Sequence, residues 1–310
     1  MQPFPIKARE ALITQIMRPV RTGRIVHAMI FAGPAGTGRK TAAKYVAQTL
    51  CCDAKAGRPC GVCASCRRFR DSNAPELITL APDPKEIKIE AVRALLEEIS
   101  LRPEGKMKCV IIEEADRMNP SAQNALLKTL EEPPEYAVFF LITQHPSVLL
   151  PTIRSRCTLV RFAPLEDEEV EEILINHGVS EERAHSIAPM ARGCAGKAIA
   201  ISGDAEYPQK TETLLNAMKD LKTERDVASV GPAIAGMRDD EKLLSELLEE
   251  CAQELMHEDV RTPLARTLQE NGIDGAALMQ AVIGFVRMRA SNVSFQYAAE
   301  MLLYNMLKPV

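Results

Sequence analysis

Gly33-Pro34-Ala35-Gly36-Thr37-Gly38-Arg39-Lys40-Thr41 lies between a short apolar run, Ile25–Phe31, and a stretch of good helix formers, Thr41–Leu50. Strand, glycine-rich loop and helix in that order form the setting of a phosphate-binding loop, which reads G-x-x-x-x-G-K-[S/T]. Its backbone N–H groups cradle phosphates, its Lys reaches the terminal phosphates and its hydroxyl holds Mg²⁺. Gly33 and Gly38 keep the spacing, but Arg39 stands where Lys belongs and Lys40 where the hydroxyl belongs. An ammonium carries donors and no acceptor, so Lys40 cannot ligate Mg²⁺. The expectation is a degenerate nucleotide site built on Gly33, Gly36, Gly38, Arg39, Lys40 and Thr41.

Outward from this loop, further apolar runs at Glu76–Leu80, Cys109–Ile112, Val138–Thr143 and Thr158–Phe162 predict buried strands of a parallel sheet. Between them, Ile89–Ile99 sets Val92, Leu95, Leu96 and Ile99 on one helical face. Asn119-Pro120 reads as an N-cap with Pro at the first helical position, and Pro133-Pro134 stops the helix that follows. The alternation predicts an α/β P-loop domain with a five-stranded parallel sheet over residues 1–163. Beyond Pro164 strand signals vanish. A small helical domain is expected over 164–206, with a hinge at Ala205–Pro208, and an all-α domain over 207–310. In the latter, stripes are predicted at Leu243, Leu244, Leu247, Leu248, Cys251 and Leu255, at Leu278, Val282, Ile283 and Val286, and at Tyr297, Met301, Leu302 and Met306.

A second nucleotide-site element should be an apolar strand ending in Asp-Glu, the Asp supporting Mg²⁺ and the Glu polarising water. Here Val110-Ile111-Ile112 runs into Glu113-Glu114. Glu113 keeps the charge but adds a methylene, which matters at an ion that demands near-ideal geometry. Glu113 and Glu114 therefore complete the expected degenerate site.

Cys60-Gly61-Val62-Cys63-Ala64-Ser65-Cys66 spaces three thiols by three, with Cys51 or Cys52 shortly before. Four such thiolates close a tetrahedral structural Zn²⁺ site with no open position. The expected set is Cys51, Cys60, Cys63 and Cys66, with Cys52 the alternative fourth ligand.

The 310 residues are 46% hydrophobic and 26% charged, and the net charge of −4 supplies no global attraction for nucleic acid. No apolar run reaches membrane-spanning length and the first residues lack a signal-peptide core, so the expected setting is cytoplasmic, without a membrane, with reduced cysteines. The five His residues show no mutual spacing that marks a site. Glu166–Glu172 reads as a solvated helix start, and Gly193-Cys194-Ala195-Gly196-Lys197-Ala198 as a helix-breaking turn.

Taken together, these residues resemble the bacterial clamp-loader family, a branch of the AAA+ ATPases. The resemblance is carried by His27-Ala28 before the loop, the cysteine module, and Ile87-Lys88-Ile89. It extends through Glu114-Ala115-Asp116-Arg117-Met118-Asn119, Asn124–Pro134 with its Leu-Glu-Glu-Pro-Pro ending, and Ser155-Arg156-Cys157. It implies an AAA+ domain, a helical lid and a helical collar through which subunits form an open ring. It further implies ATPase (gamma/tau) and delta subunits as partners, and loading of a sliding clamp onto primed DNA. By the same resemblance Arg156 is an arginine finger acting on a neighbour's ATP site. The departures at Arg39, Lys40 and Glu113, with Gly196 where active subunits carry a nucleotide-sensing arginine, imply doubtful ATP/Mg²⁺ binding and no intrinsic hydrolysis. An ATP-hydrolysing subunit with an eccentric loop remains an alternative. So does a zinc-containing DNA-binding protein using Arg58, Arg67, Arg68 and Arg70.

Overall fold

Three runs, β1 (Ala28–Ala32), β3 (Lys108–Ile112) and β4 (Ala137–Thr143), are buried along their whole length. Continuous burial is what a parallel strand covered on both faces requires. With β2 (Leu77–Leu80) and β5 (Thr158–Arg161) they form one parallel sheet in the order β2-β3-β4-β1-β5. The computed structural model describes residues 9–21, 26–83, 86–103, 105–258 and 260–308. It divides into two compact units, Met1–Ala200 and Ile201–Val310.

In the first unit α1 (Glu10–Arg21) precedes β1, α2 (Arg39–Cys51) follows the glycine-rich loop, and α3 (Ala64–Arg70) lies in the cysteine segment. One sheet face carries Ile30, Val110, Ile112, Phe139 and Leu141. It buries them against Val92, Leu95 and Ile99 of α4 (Ile89–Ser100) and Leu126 and Leu130 of α5 (Pro120–Glu131). The opposite face carries Phe31 and Phe140, whose ring centroids are 5.6 Å apart, and Phe162, 5.1 Å from Phe31. Each buried ring contributes about 1.5–3 kcal/mol relative to exposure. The Asn119 side chain accepts the Ala122 N–H at 2.9 Å, with Pro120 in the first turn, as the cap signal predicts.

The short α6 (Pro151–Arg154) leads into β5. Next come α7 (Asp167–Asn176), α8 (Glu181–Ala191) and α9 (Ala195–Gly203). The acidic stretch expected to open a helix forms a capping box, with Glu169 Oε2 accepting the Glu166 N–H at 2.9 Å. In the second unit α10 (Tyr207–Lys219), α11 (Val227–Ala235), α12 (Glu241–Met256), α13 (Pro263–Glu270), α14 (Gly275–Ala290) and α15 (Phe295–Met306) surround a separate core that includes Leu244, Leu248, Leu278, Phe285 and Leu302.

Several boundaries differ from the expectation. β1 begins at Ala28, and Ile25 lies outside the described residues. β2 begins at Leu77 because Glu76 turns inward, 5% exposed, to pair with Arg68. The α2 helix starts at Arg39, two residues early, directly from a left-handed Gly38. Ile283, Val286 and Tyr297 are exposed and not part of the predicted stripes, because the core lies on the Leu278–Val282–Phe285 side of α14. No helix among the described residues is long and apolar enough to cross a membrane.

Candidate functional site

The glycine-rich loop links the end of β1 to the start of α2, where unpaired N–H groups and the helix dipole favour an anion. Gly36 and Gly38 hold positive φ of 78° and 86°. Beside the loop is a cavity of about 380 Å³, lined by Gly36, Gly38, Arg39, Lys40 and Thr41 together with Glu113, Glu114 and His177. A larger cavity of about 630 Å³ lies between α2, the end of α3 and β2, lined by Lys44, Tyr45, Gln48 and Arg70 among others. The chemistry anticipated from the sequence gathers at the smaller one.

There, the cations turn toward groups of their own chain. Arg39 is 8% exposed, and its Nη1 donates to the Thr143 carbonyl at 2.5 Å. Burial holds its pKa below the usual arginine value, opposed by Asp116, Cys194 and Glu114. Thr143 in turn donates its hydroxyl to Asp116 Oδ1 at 2.6 Å and accepts the His145 N–H at 3.0 Å. Lys40 Nζ lies 2.5 Å from Glu113 Oε1, and Glu114 Oε2 lies 2.7 Å from Arg117 Nε. In a working site, the residues at 40 and 113 would share Mg²⁺ and Glu114 would polarise water. In this chain both carboxylates are neutralised by internal cations.

Helix α9 starts against the same loop. The Gly196 N–H donates to the Gly36 carbonyl at 3.0 Å, and a Cβ on Gly196 would stand 3.0 Å from Gly36 Cα. Even an alanine at 196 would require the loop to give by a few tenths of an ångström. His177, whose Nδ1 lies 2.8 Å from the Ile173 carbonyl, also lines the cavity. No spacing in the chain marks it, since His177 becomes a neighbour only when α7 folds over the loop. The Thr143–Asp116 link was equally hidden, although a hydroxyl ending an otherwise apolar strand is the signal that would have found it.

The cysteine cluster corrects the expected ligand set. Sulfurs of Cys52, Cys60, Cys63 and Cys66 all lie within 4.8 Å of one another, an arrangement that can hold a metal ion. Cys51 does not join them. It ends α2 facing inward, its Sγ 3.7 Å from the Met107 carbonyl and 4.0 Å from Cys109 Sγ. Cys52 has left the helix for an extended conformation (φ −64°, ψ 132°), which turns its side chain the other way. The Cys63 N–H points to Cys60 Sγ and the Cys66 N–H to Cys63 Sγ, each at 3.4 Å. Backbone N–H groups of Val62 and then Cys63 draw the Cys60 thiol down to about 6, while burial pushes Cys66 up to about 12. A tetrahedral Zn–S length of about 2.3 Å needs sulfurs roughly 3.8 Å apart, so the cluster fits such an ion. Among the nearby arginines, Arg68 pairs with Glu76, Arg58 bonds the Ala54 carbonyl and Arg70 lies 3.4 Å from Asp71, so the predicted basic patch is largely engaged internally.

Arg156 follows α6 on a tight turn held by Ile153, which is fully buried, and by Cys157, whose thiol burial pushes up to about 12. Its Nη2 lies 2.6 Å from Glu131 Oε1, and its Nη1 donates to the Thr152 carbonyl at 3.0 Å. Two separate sequence motifs, Leu-Glu-Glu-Pro-Pro and Ser-Arg-Cys, thus meet through this ion pair.

A parallel sheet in this order, with a glycine-rich loop between β1 and α2 and helices following, is the AAA+ form of the P-loop domain. The chain belongs to the family described as DNA polymerase III, delta subunit, whose model matches residues 8–166. It is 37% identical over 191 residues to DNA polymerase III subunit delta′ of Bacillus subtilis (strain 168), covering 61% of this chain and 58% of the relative. It is 31% identical over 271 residues to subunit tau of Escherichia coli (strain K12), covering 78% and 42%. With subunit delta′ of the same organism it is 31% identical over 209 residues, covering 66% and 62%. The match therefore spans less than two thirds of each of these relatives. Among solved structures, a gamma subunit-related protein of Thermotoga maritima has the same fold, with a TM-score of 0.50, 17% identity, and 97% and 99% of the two chains covered.

Proposed function

We propose that this chain is a non-hydrolysing, delta-prime-type subunit of a bacterial replicative clamp loader. It acts in the cytoplasm beside ATPase (gamma/tau) and delta subunits, and the assembled complex loads a sliding clamp onto primed DNA. Its AAA+ part spans 1–163, a helical lid 164–206 and a helical collar 207–310. The family match and the delta′ and tau relatives support the setting. The observation that carries the inactive reading is the Lys40–Glu113 ion pair. An ammonium already neutralises the carboxylate that should draw Mg²⁺, and bringing in the ion would put two cations on one carboxylate. The Glu114–Arg117 pair likewise diverts the group that should polarise water. Arg156, on its anchored turn, would then act for a neighbour, as a guanidinium stabilising charge on the transferring phosphoryl group.

In the same reading Cys52, Cys60, Cys63 and Cys66 hold one Zn²⁺. The ion supplies a structural cross-link, with no open position for catalysis. Titrating the isolated protein with Mg·ATP tests the proposal. Weak or undetectable binding and no phosphate release are expected. Micromolar affinity with steady turnover by the lone chain would replace it with the active-ATPase reading.

A further inference from the structure

Helix α5 ends with the wrong charge. Glu131 closes the helix and Glu132 caps it, although carboxylates at a helix C-terminus oppose the macrodipole, and a Lys or Arg would suit the position. Lys128 in the same last turn offsets part of the mismatch, and rules broken at an element's end tend to mark functional positions. Glu131 itself is compensated from elsewhere in the chain: its carboxylate receives the Arg156 guanidinium at 2.6 Å across 25 residues. The remaining contacts of Arg156 come from its own turn, at the Thr152 carbonyl (3.0 Å) and Ser155 Oγ (3.3 Å). Among the described residues Glu131 is thus the carboxylate that fixes the direction of this guanidinium, and Arg156 still leaves part of its fork open, its side chain 34% exposed.

We propose that Glu131 is a positioning residue for Arg156, holding its guanidinium in a single orientation ready for the ATP site of an adjoining ATPase subunit. This rests on the reading of Arg156 as a group that acts in trans. An arginine free in solution has many rotamers to lose on engaging a phosphate, and a second group that selects one of them beforehand removes that cost from the reaction. The pair is partly exposed, so its contribution to folding is small and its contribution to geometry is what the chemistry would register.

The test is ATP hydrolysis by the assembled complex carrying this chain as wild type, Arg156→Ala, Glu131→Ala, Glu131→Gln, or the double alanine variant, with assembly checked by size exclusion. Arg156→Ala defines how much turnover the guanidinium provides. Glu131→Ala is expected to lower kcat about threefold to fivefold, the kinetic counterpart of one exposed charge pair, with KM for ATP unchanged. Glu131→Gln keeps one acceptor and is expected to lose roughly half as much. The double variant should be no slower than Arg156→Ala alone, because there is then nothing left to orient. A further loss of the same size in the double variant would mean that Glu131 acts on the fold and not on Arg156, and the proposal fails. Silent Glu131 variants beside a defective Arg156→Ala sink the positioning role alone. A silent Arg156→Ala sinks the trans-acting arginine and the positioning role with it. Should the alanine variant not assemble, the near-isosteric Glu131→Gln carries the same comparison.

Discussion

Arg39 and Lys40 are adjacent in the chain yet differ in energetic weight. Arg39 is buried with its guanidinium on the Thr143 carbonyl, at a point where Thr143 also links to Asp116 and the Gly33 N–H. Truncating it removes a charge-assisted hydrogen bond from a buried carbonyl that then keeps only the Gly33 N–H at 3.3 Å, which costs about 1–3 kcal/mol. Lys40 is 52% exposed at the side chain, and its pair with Glu113 is worth less than about 1 kcal/mol to folding. Urea unfolding of the two alanine variants should therefore separate them, with Arg39→Ala losing about 1–3 kcal/mol and Lys40→Ala less than about 1. Equal losses would mean that Arg39 is not the internal strut its contacts describe. The sequence disclosed the wrong residue types at 39, 40 and 113. It did not disclose that Lys40 and Glu113 satisfy each other, because they lie 73 positions apart and meet only when the parallel sheet brings the ends of β1 and β3 to the same edge, with β4 between them.

At the scale of elements, the end of α2 decides which cysteine binds metal. Spacing alone offered Cys51 and Cys52 equally, since both are near enough to Cys60 in the chain. The helix ends between them, so the side chains diverge, one toward Cys109 in the core and one toward the cluster. Cys52→Ser should reduce bound zinc well below one equivalent in elemental analysis, whereas Cys51→Ser should keep it. The reverse pattern would overturn the assignment. The pH dependence has a definite sign. Metal needs thiolates, so acid competes for the ligands and alkali does not. Cys60, drawn down to about 6, is the readiest thiolate. Cys66, raised to about 12, must surrender its proton on binding. Zinc should accordingly be retained at pH 8 and released progressively as the solution is acidified, read with a chromogenic chelator. Strand placement was legible to within one residue for β3 and β4, which begin at Lys108 and Ala137, because their interiors are apolar. The edge strand β2 was one residue off, because Glu76 looks like strand until its pairing with Arg68 is known. The short helix α3 was missed, as seven residues with three arginines and one cysteine carry no helical period.

For the whole molecule, the two compact units differ in what their sequences revealed. The first was legible in class and in the approximate placement of its strands, because glycines at fixed offsets and unbroken apolar runs have few structural interpretations. The second was legible only as helical. Its stripes at 278–286 and 297–306 mix buried Leu278, Val282 and Leu302 with exposed Ile283, Val286 and Tyr297, and a hydrophobicity pattern cannot say which side of a helix finds a neighbour. Its independence is nonetheless argued by its own interior. Leu244, Leu248 and Ala252 of α12, Leu268 of α13, Leu278 and Phe285 of α14, and Leu302 and Leu303 of α15 are essentially excluded from solvent. Glu254, fully buried, is held by the Arg261 and Thr262 N–H groups at 2.9 and 3.0 Å, which secures the connection from α12 to α13 within the same unit. A fragment covering residues 204–310 begins just past α9 and cuts no helix. It is long enough to bury a core of its own, since domains of about 100 residues commonly do. It should give a helical circular-dichroism spectrum and melt in one cooperative transition. A fragment that stays unfolded, or loses helicity gradually on heating, would show that its interior depends on the first 203 residues, and the two units would then have to be treated as a single folding body.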